Sequence, residues 1–312
     1  MRLAKQVVLL LVITSLFACD GQIEKPLRVG TLPWAGFEIL YLARDLAYYD
    51  NAQIQLKELT SITDIINAFQ QGQLNAITVT LDEALRLADI HYDLKIILIF
   101  NISDDADELI VTPSIKSLAE LKGKRVAVEQ SGVDVYMLTQ MLQMANLNLN
   151  DIIIIRSTVN QHPMMLSKGE VDAVISFDPI AYQLQKQGYI NLLDSRILSG
   201  QIVDVLITRD IALQQQRKNL KLLLEGYWKA RNYIADYPVD VVSRIASRLG
   251  VTSEKLVLLF ENLVLPEIEH RQTIFNQQLE SIIEQMNRLM IETGLLKNAI
   301  DSKPLLVHDF LD

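Results

Sequence analysis

Cysteine occurs once in the 312 residues, so the chain can form neither an internal disulfide nor a multi-thiolate zinc or iron–sulfur site. Basic residues are short as well: 29 Lys and Arg face 38 Asp and Glu, a net charge of −9. That balance excludes a general binder of nucleic acid, whose affinity for phosphates draws on Lys and Arg. The 12 glycines and 8 prolines are too few for a collagen-like or low-complexity architecture, and 50% hydrophobic residues are too many for a disordered chain. The four histidines, His91, His162, His270 and His308, show no metal-ligand spacing. No Gly-x-Ser-x-Gly elbow, phosphate-binding glycine loop or His-Glu-x-x-His helix is present. Neither catalysis nor a metal or other cofactor is expected. What remains is a globular chain, long enough for one large domain or two moderate ones.

The first apolar run, Val7 to Phe17, follows Arg2 and Lys5. At about 11 residues it is half of what a bilayer-spanning helix needs and has the length of a secretory signal's hydrophobic segment. It closes on Leu16-Phe17-Ala18-Cys19, which resembles the lipobox of bacterial lipoproteins. By that resemblance residues 1–18 are a signal peptide, Cys19 carries the lipid, and 19–25 form a tether. Asp20 is then the residue that keeps the protein in the inner membrane, on its periplasmic face. Losing residues 1–18 removes two basic side chains and no acidic one, so the remaining chain is more acidic still.

Beyond the tether the same order of elements occurs twice. Leu27-Arg28-Val29-Gly30, an amphipathic stretch from Phe37 to Ala47, strand-like Ile54 to Leu59, and Gly72-Gln73-Leu74-Asn75-Ala76 running into Ile77 to Thr80 form the first copy. Arg125 to Val128, Tyr136 to Met144, the β-branched Ile152 to Ile155, and Gly169-Glu170-Val171-Asp172-Ala173 running into Val174 to Phe177 form the second. Strands alternating with helical patterns imply βαβ units and parallel sheets, hence two α/β lobes with ligand-binding loops at the strands' carboxyl edges. Ile96 to Phe100 and Ile152 to Ile155 have the length of buried strands. After one more strand, Ile202 to Ile207, the pattern is helical: Leu220 to Tyr237, Val239 to Leu249, Ser253 to Leu263 and Gln272 to Thr293, with Ser253 as an N-cap. These helices are expected to pack on the first lobe; a separate helical subdomain is the alternative.

Several of these segments together carry a resemblance: Arg28-Val29-Gly30, Pro33-Trp34, Gly36-Phe37-Glu38, Tyr41-Leu42-Ala43, the two Gly-x-x-x-Ala runs at Gly72 and Gly169, Lys124 to Glu129, and Gly200 to Val205. In this order and spacing the chain resembles the periplasmic solute-binding proteins of ABC importers in the nitrate, taurine, aliphatic-sulfonate and thiamine-precursor group. The resemblance implies an α/β periplasmic binding protein type II fold, two lobes joined by a hinge that close on a small-molecule solute. Lobe 1 is expected over 26–110 and 206–312, lobe 2 over 111–205. The implied partner of the monomer is an ABC permease in the inner membrane. A membrane receptor, with the protein acting as a sensor, is the alternative, and a thiamine-pyrimidine-type enzyme a third. The stretch Asn101 to Asp107 and Phe177 before Asp178-Pro179 depart from the family pattern.

Loops at the strand ends give a candidate lining: Trp34 and Phe37, Ser61 and Thr63, Thr80 and Asp82, then Asn101, Ser103 and Asp105 from the first lobe. The second contributes Ser131, Gly132, Tyr136, Asn160, Phe177 and Asp178. Helices opening after Ser61 and Ser131 would turn free backbone N–H groups toward the cleft, where they suit a carboxylate, sulfonate or phosphate. The charges point the other way: Asp82, Asp105 and Asp178 favour a cationic or hydrogen-bond-donating solute, although each acid also suits a helix cap or a solvated loop. Trp34 adds a face for an ammonium group. An amine, zwitterion or nitrogen heterocycle is expected over nitrate or a sulfonate.

Overall fold

The computed structural model describes residues 25–90, 93–103, 105–129, 132–198, 202–266 and 278–307. Cys19, Asp20, the expected signal segment, Ser131, His91, His270 and His308 lie outside them. The chain alternates through β1 (Leu27–Thr31), α1 (Glu38–Asp45), β2 (Ile54–Glu58), α2 (Ile62–Gln70), β3 (Ala76–Thr80) and α3 (Leu81–Asp89) to the long β4 (Leu94–Ser103). It crosses into β5 (Asp107–Val111), β6 (Arg125–Val128), α4 (Gly132–Met144), β7 (Ile153–Arg156), α5 (His162–Ser167), β8 (Ala173–Phe177), α6 (Ile180–Lys186) and β9 (Ile190–Asp194). It then crosses back into β10 (Ile202–Arg209), α7 (Asp210–Gln215), α8 (Arg217–Asp236), α9 (Pro238–Leu249), α10 (Ser253–Glu261), β11 (Leu263–Val264) and α11 (Leu279–Glu292).

Two sheets result, one ordered β11-β4-β10-β3-β1-β2 and the other β7-β6-β8-β5-β9. The repeat holds at the level of single hydrogen bonds. Arg28 N–H donates to Asn75 Oδ1 at 2.9 Å and Arg125 N–H to Asp172 Oδ2 at 2.9 Å, each reaching 47 residues along the chain. Gly72 and Gly169, three residues before those acceptors, both take the left-handed conformation, with φ of 72° and 65°. In each sheet the strand beside the third repeat strand runs antiparallel to it and comes from across the crossing: β10 beside β3, β5 beside β8. The chain passes between sheets at Ser103 to Asp107 and Leu198 to Ile202, so the boundaries expected at 110 and 205 fall within β5 and β10.

Burial follows position in the sheet. β4, with neighbours on both sides, keeps Ile96 to Phe100 at 4% exposure or less. The four-isoleucine run was expected to be a buried strand; instead Ile153 is 52% exposed, because β7 is an edge strand paired only with β6. Leu220, Leu223 and Tyr227 of α8, Ile245 of α9, Leu256 of α10 and Ile283 of α11 share one apolar core with the first sheet. Thr252, not Ser253, caps α10: its side chain accepts from Lys255 N–H at 3.2 Å.

Candidate functional site

The turn after β1 is fixed by the N–H groups of Phe37 and Glu38, which donate to Trp34 O at 2.9 and 3.1 Å. It holds the Trp34 indole, 4% exposed, with its N–H donating to Asp204 Oδ2 at 2.9 Å. Asn101 Nδ2 donates to the same oxygen at 2.7 Å. Asp204 on β10 stands in register with Thr80 on β3 and Asn101 on β4, so pairing of three strands sets this cluster. Gly36 is required beside it: a Cβ there would lie 1.9 Å from Asn101 Oδ1.

Asp107, at the start of β5, faces this cluster. Burial pushes its carboxyl up to about 7, and the charges of Asp204 and Asp82 push the same way. Asp204 is also pushed up to about 7 by burial; its bonds from Asn101 and Trp34 hold it down and the Asp82 charge raises it. Acids in this setting are stabilised by a cation or a donated proton.

Between the sheets lies a cavity of about 70 Å³. Its apolar walls include Leu32, Trp34, Phe37, Ile62, Val79, Phe177 and Ile202; its polar ones are Thr80, Ser103, Asp107, Glu129, Asp134 and Asp204. Ser103 Oγ, on a residue 2% exposed, has no hydrogen-bond partner among the described residues.

Contacts from both lobes close over this space. Trp34 and Phe177 meet edge to face with centroids 6.2 Å apart, an arrangement worth about 0.5–1.5 kcal/mol beyond the area it buries. Thr63 N–H and Oγ1–H donate to Glu129 Oε1 at 2.9 and 2.7 Å. Lys255 Nζ pairs with Asp178 Oδ2 at 2.8 Å, and Asn262 Nδ2 donates to Asp105 Oδ2 at 2.6 Å.

Of the residues expected from the sequence, Trp34, Phe37, Thr80, Ser103 and Phe177 line the cavity. Asn101 and Asp82 stand behind it, bonded to and charging Asp204 respectively. Ser61 caps α2, accepting from Asp64 N–H at 3.1 Å, and Thr63 is engaged by Glu129. Five others are not among the residues that line the cavity. Asp178 is neutralised by Lys255 and accepts from Tyr182 N–H at 2.9 Å, and Asp105 is held by Asn262. Tyr136 packs on the second lobe's core and feels the charge of Glu292, Asn160 is exposed and bonded by Thr158, and Gly132 opens α4. Ser131 lies outside the described residues. The acids that line the cavity are instead Asp107, Glu129, Asp134 and Asp204. Their signal was present: Asp204 is the one charge within the otherwise apolar Ile202 to Ile207, Glu129 directly follows the apolar Val126 to Val128, and Asp107 stands two residues before the apolar Leu109 to Val111.

The NMT1/THI5-like family model matches residues 34–241, about two thirds of the chain, from before β2 to beyond β10. The chain belongs to the NMT1/THI5-like family. This bears out the resemblance to the solute-binding proteins of ABC importers seen in the sequence. Among solved structures, this NMT1/THI5-like protein is similar to the alkanesulfonate-binding protein SsuA from Xanthomonas axonopodis pv. citri bound to MOPS, at 15% identity and TM-score 0.75 over 91% of this chain and 98% of that one. A gene product of Candida albicans with the generic periplasmic binding protein fold matches at 12% and 0.72, over 91% and 96%. The desulfurization enzyme DSZB matches at 16% and 0.66, over 92% and 97%. At these identities the likeness shows the fold, which is that of periplasmic binding proteins and which also carries an enzyme. No curated protein sequence matches the chain.

Proposed function

We propose that the protein is the solute-capturing lipoprotein of an ABC import system, and that its solute is compact and carries a protonated amine or an N–H-rich heterocycle. It works without catalysis, as a monomer held by lipidated Cys19 at the periplasmic face of the inner membrane. One observation carries the solute class: among the described residues every ionisable side chain that lines the cavity is a carboxylate, with Asp107 and Asp204 buried. Such a site favours a cation or a donor over an anion. Trp34 and Phe177 supply flat apolar faces, and the unpartnered Ser103 hydroxyl one further polar contact. The lobes open about the crossings near Ser103 to Asp107 and Leu198 to Ile202, and the solute draws them shut.

The test is a thermal-shift panel on the chain from residue 22, since a solute that binds the native state raises its melting temperature. Amines and aminopyrimidines should raise it. A shift from nitrate, taurine or sulfonates alone defeats the assigned solute class.

A further inference from the structure

We propose that Glu129 determines specificity by seating its own carboxylate on the N-terminus of α2, the place in the cleft that an anionic solute would otherwise take. The proposal rests on the reading of the cleft as a site for a cationic solute. The first turn of a helix presents unpaired N–H groups and partial positive charge, which together hold an anion. Here α2 runs nine residues from Ile62, capped by Ser61, and its N-terminus faces the second lobe. Thr63 gives both its backbone N–H and its hydroxyl to Glu129 Oε1, at 2.9 and 2.7 Å.

Glu129 follows β6, so its side chain reaches across the cleft, and its own N–H donates to Asp134 Oδ2 at 3.0 Å, which fixes the approach. The residue is 3% exposed. A sulfonate or carboxylate entering the closed cleft would have to displace Glu129 from Thr63, leaving that acid buried beside Asp134 without the two Thr63 bonds. It would also face Asp107 and Asp204. A cation meets neither obstacle.

Ethanesulfonate titrated into the nitrogen-15-labelled protein, followed at the Trp34 indole N–H, tests this. Wild type should show no binding at the highest concentration titrated, and Glu129→Ala should bind ethanesulfonate with a Kd at least about tenfold below that concentration. A folded Glu129→Ala chain without that gain overturns the role of Glu129. Should the alanine chain give no dispersed spectrum, Glu129→Ser is expected to show the same gain, and its absence there overturns that role equally. Binding of ethanesulfonate by wild type would overturn the cationic-solute reading itself, which separates the two failures.

Discussion

Lys255 Nζ lies 2.8 Å from Asp178 Oδ2, tying α10 on the first lobe to the turn after β8 on the second. Asp178 is 3% exposed and Lys255 21%, so the pair stands between an exposed one, worth about 0–1 kcal/mol, and a fully buried one, whose breaking costs about 3–5. In the open form Asp178 regains water, so the loss falls on closure. Lys255→Met should therefore raise the solute Kd by about tenfold to thirtyfold, read by calorimetric titration. An unchanged Kd would show that closure does not use this pair.

The buried carboxyls make stability depend on pH with a definite sign. Unfolded, Asp107 and Asp204 titrate near 4; folded, burial holds both near 7. Between those values the folded chain keeps protons that the unfolded chain has shed, so stability falls as pH rises from about 4 through 7. Glu38 and Glu108, raised by burial to about 7 and 8, add to the fall. The solute-free protein should melt lower at pH 8 than at pH 5, and Asp107→Asn should melt above wild type at pH 8 while approaching it at pH 5. Parallel melting curves at both pH values would contradict the assignment.

Trp34→Phe keeps an aromatic face and removes one donor. Asp204 then loses a charge-assisted bond, worth about 1.5–3 kcal/mol. Urea denaturation at pH 8 should show a loss of that order. At pH 5, where Asp204 holds its proton, the loss should shrink.

Gly36→Ala places a methyl 1.9 Å from Asn101 Oδ1 and 3.0 Å from its Cγ. The Asn101 amide must swing off Asp204, while the turn itself survives. Solute affinity should drop at least about tenfold with far-ultraviolet circular dichroism unchanged, and retained affinity would remove Asn101 from the support of the site.

Cys19→Ser tests the anchor separately from the cleft. The variant should leave the membrane fraction and keep its thermal-shift profile with the solute. Persistent sedimentation with membranes would defeat lipid attachment at Cys19.

Local patterns carried most of the architecture. Arg28 with Gly72 and Arg125 with Gly169 mark equivalent turns because the same short-range geometry recurs, and Trp34 and Phe177 could be placed at strand ends from periodicity. What the sequence concealed depends on which strand lies beside which. Asp204 reaches the cavity only because β10 returns to the first sheet between β3 and β4, and Asp107 only because β5 lies beside β8, which no local pattern announces. Asp178, exposed to view as an acid at a strand end, is cancelled by a lysine in a helix of the other lobe. Glu129 finds Thr63 only when the lobes meet.

The return of β10 to the first sheet also sets an order of synthesis. The second sheet is one uninterrupted stretch, Asp107 to Asp194, and every strand of it is available once β9 has been made. The first sheet at that moment still has an open seam between β3 and β4, which only Ile202–Arg209 fills. The lobe that begins first thus finishes last, and its early strands must wait, with unpaired edges, through the making of about a hundred further residues. Truncation after Asp194 but before Ile202 should leave a second sheet with all its strands joined to a first that cannot close its own.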